Sequence, residues 1–457
     1  MMKTTPFNQI IQLGYPIVVA YSGGLDSTVL LKQLVELRKR QAFPLYAIHI
    51  HHGLSTHADA WLAHCKQTSE EWGVNFYHAH AHITQQNQQS LEAVARDARY
   101  RLITEIINQI AKEGAYNAVS LITGQHKDDQ VETFFIRLKR GSGPKGLSAM
   151  ANKRTVNDLI TLYRPLLNTD RTALLTYAEQ NQLQWVEDES NADDMFDRNF
   201  LRNNVLPIIN KRWRGFKDCV VRSAELAAEY TQIVEEVASE DLTQIKVSAN
   251  QLCCVRLSTL SDNRQRAVLR CWLQTLCSQL PSQKQLHAIQ HEVIKAREDS
   301  QAQVKLKQGS LRKYQQKLYF CPLLDEIPVE VIKPIIWSSP LSSPLRNLVY
   351  NQIIYCEDAL VCDPERSLMA VRAAHADEIV SIHYGVSGSV LCQPANRGRK
   401  RSIKKLLHEY KVPYWQRHLV PFLFYNDQLV AAIGLWPCSE FVTSSESSVL
   451  YSINPPI

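Results

Sequence analysis

Ser22-Gly23-Gly24-Leu25-Asp26-Ser27-Thr28 has the composition of an anion seat. Two glycines let a backbone turn sharply and come close to a ligand. If a helix opens directly behind them, its free N–H groups and its dipole favour negative charge. The hydroxyls of Ser22, Ser27 and Thr28 add donors. Asp26 has the wrong charge for such a site unless Mg²⁺ sits between it and the phosphates, since hard cations take carboxylate oxygens. No Gly-Lys-Ser/Thr triplet ends the stretch, so it is not a Walker A loop, and it is not a G-x-G-x-x-G fingerprint. The plain alternative is a two-glycine turn with a serine N-cap.

A second cluster runs from Gly124 to Thr133 (GQHKDDQVET). Asp128 or Asp129 can cap a helix there, and Glu132 falls one turn on, on the same face. The cluster reads either as a capping box or as a metal or substrate-ammonium site. Arg137, Lys139 and Arg140 follow, then Gly141-Ser142-Gly143. Glu92, Arg96 and Arg99 share one helical stripe, either as an exposed Glu–Arg pair or as cations reaching phosphate or RNA. Arg198 and Arg202 stand one turn apart, within reach of an RNA backbone. Near the other end, Arg397, Arg399, Lys400, Arg401, Lys404 and Lys405 lie within nine residues, with Tyr410, Tyr414 and Trp415 close behind. That density suits RNA backbone contact and base stacking; a solvated helix face is the alternative. His49-Ile50-His51-His52, and His78, His80 and His82, alternate along strands, but no third ligand stands at zinc spacing.

These residues need elements to hold them. Pro16 to Tyr21 reads as a buried strand, Ser27 to Arg40 as a helix, and Leu45 to His49, Asn75 to His82 and Asn117 to Thr123 as further strands. A long helix with Leu91, Ala95, Ala98, Leu102, Ile106 and Ile110 on one face precedes the last of them. Strands alternating with helices predict an α/β, doubly wound, Rossmann-like parallel sheet, with ligands at the carboxyl ends of the strands. After Trp213 the texture turns mostly helical, over 219 to 245 and 262 to 296. Pro334 to Pro344 reads as a Pro/Ser-rich linker, and the tail as a small α+β domain. The expected domains are 1–215, 216–345 and 346–457.

Composition sets the outer limits. The 457 residues are 45% hydrophobic and 21% charged, ordinary for a globular chain of two to four domains. Lys+Arg 51 against Asp+Glu 45 gives +6, which permits a nucleic-acid partner without requiring one. No apolar run is long enough to span a membrane, so no membrane partner is expected. Eleven cysteines contain no C-x-x-C pair. An odd count with no secretory signal predicts reduced thiols and a cytoplasmic setting.

SGGLDS after an apolar strand resembles the PP-loop of the ATP pyrophosphatase superfamily, a loop shared by several synthetases and tRNA thiolases. Taken with EAVARDARY at 92–100, HKDDQVET at 126–133, RGSG at 140–143, RPLL at 164–167, DESN at 188–191 and RNFLR at 198–202, the chain resembles the tRNA-isoleucine lysidine synthases in their long, three-domain form. A thiolase would need catalytic or cluster-binding cysteines, and Cys65 is the sole cysteine of the first 215 residues. Gln125 departs from the family, where a second histidine is common. The resemblance implies ATP with Mg²⁺, free L-lysine and an isoleucine tRNA with a CAU anticodon as partners, and leaves a homodimer open. O2 of the wobble cytidine is adenylated and the lysine ε-amine then attacks C2, giving lysidine, AMP and pyrophosphate. It further implies phosphate contacts from Ser22, Gly23, Gly24, Leu25, Asp26 and Ser27, with Asp26 as metal ligand. Asp26, His126, Asp129, Glu132, Arg96 and Arg99 are then the catalytic candidates. Among them, Asp129 and Glu132 would meet the lysine ammonium, and Arg96 or Arg99 its carboxylate. RNA contacts fall to Arg198, Arg202 and the six basic tail residues, which in the family grip the acceptor stem.

Overall fold

The computed structural model describes residues 5–53, 55–81, 91–189, 193–297, 300–323, 334–338, 345–347, 352–358, 370–443 and 448–454. His82, Ser190, Asn191 and residues 339–344 of the expected linker lie outside the described residues, as does the side chain of Glu92. The chain divides into two units, Met1–Val237 and Ala238–Ile457.

In the first unit the strands are Ile17–Ala20 (β1), Leu45–His51 (β2), Asn75–His80 (β3), Val119–Ile122 (β4), Lys153–Thr155 (β5) and Ile160–Tyr163 (β6). Their spatial order is β3-β2-β1-β4-β6-β5. All pairs are parallel except β5 with β6. The helices are Thr5–Ile11 (α1), Leu25–Arg38 (α2), Ala58–Glu71 (α3), Leu91–Glu113 (α4), Lys127–Lys139 (α5), Pro144–Leu147 (α6) and Arg171–Gln180 (α7). Successive residues of β1 point to opposite faces. Ile17 and Val19 join Phe7, Leu30, Leu34 and Leu174 in one core. Val18 joins Ile48, Ile103, Ile107 and Ile110 in another. The sheet is therefore covered on both sides, as the run of apolar residues in β1 requires. The chain builds outward from β1 to β3, then returns to place β4 on the other flank of β1. The resulting crevice lies at the carboxyl ends of β1 and β4, where ligands bind in such sheets.

Three further helical pieces close this unit: Asp197–Phe200 (α8), a π-helical turn at Leu201–Val205, and Leu206–Arg212 (α9). Pro207 has no N–H to give the helical ladder, which accounts for the interruption. Helix α10, Phe216–Ile245, runs on into the second unit.

The second unit begins with the helices that the sequence led us to expect, joined by a sheet that it did not. Lys246–Ser248, Gln251–Cys253, Lys317–Pro322, Gly309–Tyr314 and Gln303–Leu306 form that antiparallel sheet, in this spatial order. It packs through Leu311 and Leu318 on Trp272, Leu269 and Leu286. The helix expected over 262 to 296 is broken after Gln274. Ser282 starts a new helix through a capping box with Gln285, whose side chain accepts from the Ser282 N–H at 2.9 Å. Ile335–Ile336, inside the expected linker, is a strand against Val380–His383, and Trp337 beside it is buried. Among the described residues, a five-stranded, a four-stranded and a two-stranded antiparallel sheet then complete the α+β tail around Trp436, Phe422 and Leu423. No helix among the described residues is long and apolar enough to cross a membrane.

Candidate active site

The first glycine pair is built by sterics. Gly23 has φ +83°, and a Cβ there would lie 2.7 Å from Cys65 Sγ and 3.1 Å from Val186 Cγ2. Gly24 is the extended N-cap of α2. Around it, the Ser22 and Ser27 hydroxyls are 3.0 Å apart, Ser27 Oγ donates to the Gly24 carbonyl at 3.1 Å, and Thr28 Oγ1 to that of Gly23 at 3.2 Å. Val186 N–H binds the Gly23 carbonyl from the far side. The carbonyls are thus turned inward, and the helix start keeps its N–H groups for a ligand.

The second cluster comes directly against this loop. A Cβ on Gly124 would stand 3.1 Å from the Asp26 carbonyl carbon and 3.2 Å from the Ser27 nitrogen, so a larger residue would have to push this backbone aside by a few tenths of an ångström. His126 is the N-cap of α5, with Nδ1 accepting from Asp128 N–H at 3.2 Å. Its Nε2 therefore carries the proton in the neutral ring. That nitrogen lies 3.5 Å from both Asp26 Oδ2 and Asp129 Oδ2. Burial alone would lower the His126 pKa; the neighbouring Asp26 and Asp129 carboxylates outweigh it and raise it. Asp129 closes the box by accepting from His126 N–H at 3.0 Å. The capping-box reading is realised, with His126 as the N-cap in place of the expected Asp128 or Asp129, and Asp129 as its reciprocal partner.

Asp26 Oδ1 is buried and has no hydrogen-bond partner among the described residues. An orphaned carboxylate oxygen is costly until a partner satisfies it, and among the described residues no cluster of three or more His, Cys, Asp or Glu side chains is arranged to hold a metal ion there. Gln125, in place of the family's second histidine, accepts from the Thr123 hydroxyl.

Glu132 is fully buried. Arg202 grips it with Nε at 2.7 Å and Nη2 at 3.1 Å, and Nη2 also reaches Asp129 at 3.4 Å. Arg198 Nε lies 3.4 Å from Glu132 Oε2. Burial pushes the Glu132 carboxyl up, and Arg202 pulls against it without cancelling the rise. The sequence sent Arg198 and Arg202 to an RNA backbone; the structure turns both toward Glu132, because a buried carboxylate needs a fixed cation. It also brings in ties that spacing did not announce. Lys127 bridges Asp170 (2.8 Å) and Asp218 (2.9 Å), and Lys217 reaches Asp128 at 2.5 Å, fastening α5 to the start of α10.

Arg96 and Arg99 both stand over the Tyr100 ring, 5.7 Å from its centroid. His49 is buried under the loop, bonded to the Tyr21 carbonyl at 3.0 Å, and burial lowers its pKa to about 4. It is a neutral core residue. His51 pairs with Asp59 at 3.0 Å.

The basic tail forms a hairpin, Leu391–Cys392 with Arg401–Ser402, and the helix Ile403–Glu409. All six basic residues are exposed. Arg397 and Arg401 are drawn to Glu409, and Lys400 to Glu440 at 3.4 Å. Arg399, Lys404 and Lys405 point outward. The aromatics expected to stack on bases are engaged with protein: Tyr410 on Trp436, and Tyr414 and Trp415 on each other and on Arg312.

Comparison with known proteins agrees with this layout. A PP-loop domain matches residues 5–209, a TilS substrate binding domain 252–319 and a TilS substrate C-terminal domain 380–452. The tRNA(Ile)-lysidine synthase of Pectobacterium atrosepticum is 42% identical over 418 residues, 92% of this chain and 90% of that protein. Those of Edwardsiella ictaluri and Proteus mirabilis are 39% and 37% identical, covering 93% and 95% of this chain and 91% and 94% of theirs. Identity of this order, running the length of both partners, places the chain in the tRNA(Ile)-lysidine synthase family.

Proposed function

We propose that the protein ligates L-lysine to C2 of the wobble cytidine of an isoleucine tRNA with a CAU anticodon, using ATP and releasing AMP and pyrophosphate. The observation that carries this reading is the meeting of a phosphate loop with the Asp129–Glu132–Arg202 cluster, in a chain whose relatives carry that name.

The loop from Ser22 to Ser27 binds the β and γ phosphates, with backbone N–H groups and hydroxyls as donors. Asp26, through its partnerless oxygen, and the loop itself would hold Mg²⁺, which when bound screens phosphate charge. His126 holds Asp26 and Asp129 in register. A carbonyl oxygen is a poor leaving group; as an adenylate it departs as AMP, so activation at O2 precedes attack at C2. The lysine ε-amine has a reference pKa of about 10.4 and must lose a proton before it attacks. A local base or desolvation must bring that about; Glu132, whose carboxyl burial pushes up while Arg202 grips it, is one candidate beside Asp129. Asp129 meets the α-ammonium, and Arg99 or Arg96 the carboxylate. An odd cysteine count without a C-x-x-C pair favours a reducing, cytoplasmic setting.

The test is mass spectrometry of nucleosides from this tRNA after incubation with protein, ATP and lysine. Lysidine should appear at the wobble position, with AMP and pyrophosphate in equal amount. Stoichiometric ADP, or an unmodified cytidine with all three substrates present, would overturn the proposal.

A further inference from the structure

Five arginines converge in the first unit without a counter-charge among the described residues. Arg164 follows β6 directly and is almost fully buried. Its Nη1 donates to the Ala151 carbonyl at 2.7 Å, while its Nε is buried with no partner among the described residues. Arg137, near the end of α5, spans the carbonyls of Gly146 and Ala149 at 2.8 and 2.7 Å. Arg96 on α4 lies near enough to press its charge on both. Arg140 adds to the pressure on Arg137, and Arg154 of β5 to that on Arg164. Burial comes first and lowers the pKa of both guanidiniums; Arg96 and Arg140 lower that of Arg137 further, while on Arg164 the neighbouring Tyr100 hydroxyl pulls upward against Arg154 and Arg96 without cancelling the fall. Carbonyl oxygens orient a guanidinium but do not neutralise it. Arg198 and Arg202 have Glu132; among the described residues none of these five has a carboxylate partner.

Like charges packed together and partly desolvated destabilise a fold unless an anion offsets them. Two of the five are fixed forks beneath, and Arg96, Arg140 and Arg154 are exposed above them. A lysine carboxylate needs one such fork, and the triphosphate already has the loop at β1. A polyanion that presents several phosphates fits the number and spread of the charges. We propose that this cluster seats backbone phosphates of the substrate RNA beside the reacting nucleotide, with Arg140 and Arg154 as direct contacts and Arg137 and Arg164 as the fixed floor. Arg96 then belongs to the RNA seat, which leaves Arg99 for the lysine carboxylate. The inference rests on the RNA substrate proposed above.

The test is binding of an isoleucine anticodon stem–loop, without ATP or lysine, as a function of salt. Arg140 and Arg154 are exposed, so Arg140→Gln/Arg154→Gln keeps the fold, which circular dichroism checks. The log–log salt slope should become shallower by about 0.7–0.9 for each phosphate that is no longer neutralised, with weaker binding. Arg140→Lys/Arg154→Lys should restore most of the slope, since point charge survives. Wild-type affinity and slope in the glutamine variant would overturn the proposal. So would an unchanged slope with weakened ATP binding or a raised KM for lysine, which would assign the cluster to those anions. Binding does not depend on turnover: a chain that binds the stem–loop through these residues yet forms no lysidine would refute the proposed reaction and leave this seat standing.

Discussion

Gly23→Ala probes the loop at its most constrained point. Its φ of +83° puts an L-residue in the left-handed region, at roughly 1–2 kcal/mol. The new methyl would stand 2.7 Å from the Sγ of Cys65, which is fully buried and cannot swing away. Overpacking of that kind costs about 1–3 kcal/mol. Together the substitution should destabilise the first unit by about 2–5 kcal/mol. The steric part has one identifiable source, so it can be separated. With Cys65→Ala as background the sulfur is gone, and Gly23→Ala should cost little more than the backbone share of about 1–2 kcal/mol. Val186 Cγ2 at 3.1 Å remains and sets a small residue. The cycle should therefore give a coupling energy of about 1–3 kcal/mol. Native-state hydrogen exchange of the β1 amides reads the first unit alone and avoids treating two units as one transition. An equal cost of Gly23→Ala in both backgrounds would refute the assignment of this glycine to the Cys65 contact.

Asp26→Asn removes the charge that the loop would offer a cation; AMP and pyrophosphate formation should collapse while stem–loop binding stays near wild type, and wild-type turnover would rule the role out. Arg399→Ala/Lys404→Ala/Lys405→Ala removes the three tail cations that no carboxylate among the described residues engages. Full-length tRNA should bind more weakly and with a flatter salt dependence, the isolated stem–loop less so, and an unchanged slope would mark the tail as a solvated face. Glu378 is held bidentate by Arg372 at 2.5 and 2.6 Å, which lowers its pKa from the usual 4.5 to about 2. Because the folded value lies below the unfolded one, its stabilisation is complete above about pH 4.5 and is lost as pH falls toward 2. Glu378→Gln should therefore lower the urea midpoint at pH 7 and make little difference near pH 2; a constant gap at all pH values would count against the pair.

Local signals carried the first unit. Ser22 to Thr28 and Gly124 to Thr133 were recognisable because each is a continuous strand–turn–helix passage, and the order of strands and helices set the sheet that brings them together. What spacing could not reveal is contact across the chain. Arg202 and Glu132 are 70 residues apart, and nothing local says that one grips the other. The same holds for the contact of Gly23 with Cys65, and for Arg137 and Arg164, whose partners are carbonyl oxygens of loops. In the second unit the short strands, such as Lys246–Ser248 and Gln251–Cys253, lack enough residues to display a period of two. The tail was legible as charge and not as pairing: Glu409, which holds two of the arginines, stands beyond the basic run.

The π-helical turn at Leu201–Val205 amounts to one surplus residue lodged in a helix. Each residue of an α-helix advances the side-chain direction by about 100°. Arg198 just before the turn and Arg202 near its start face Glu132; beyond it Leu206 enters a separate cluster with Val131, Val220 and Val221. Deleting a single residue from this turn would rotate one half against the other by about 100°, so that only one of these two engagements could persist. A length change in this turn therefore breaks either the acidic centre or the packing beneath it. The allowed route to a regular helix is a compensated one, in which Pro207 is replaced in the same lineage that loses the extra residue.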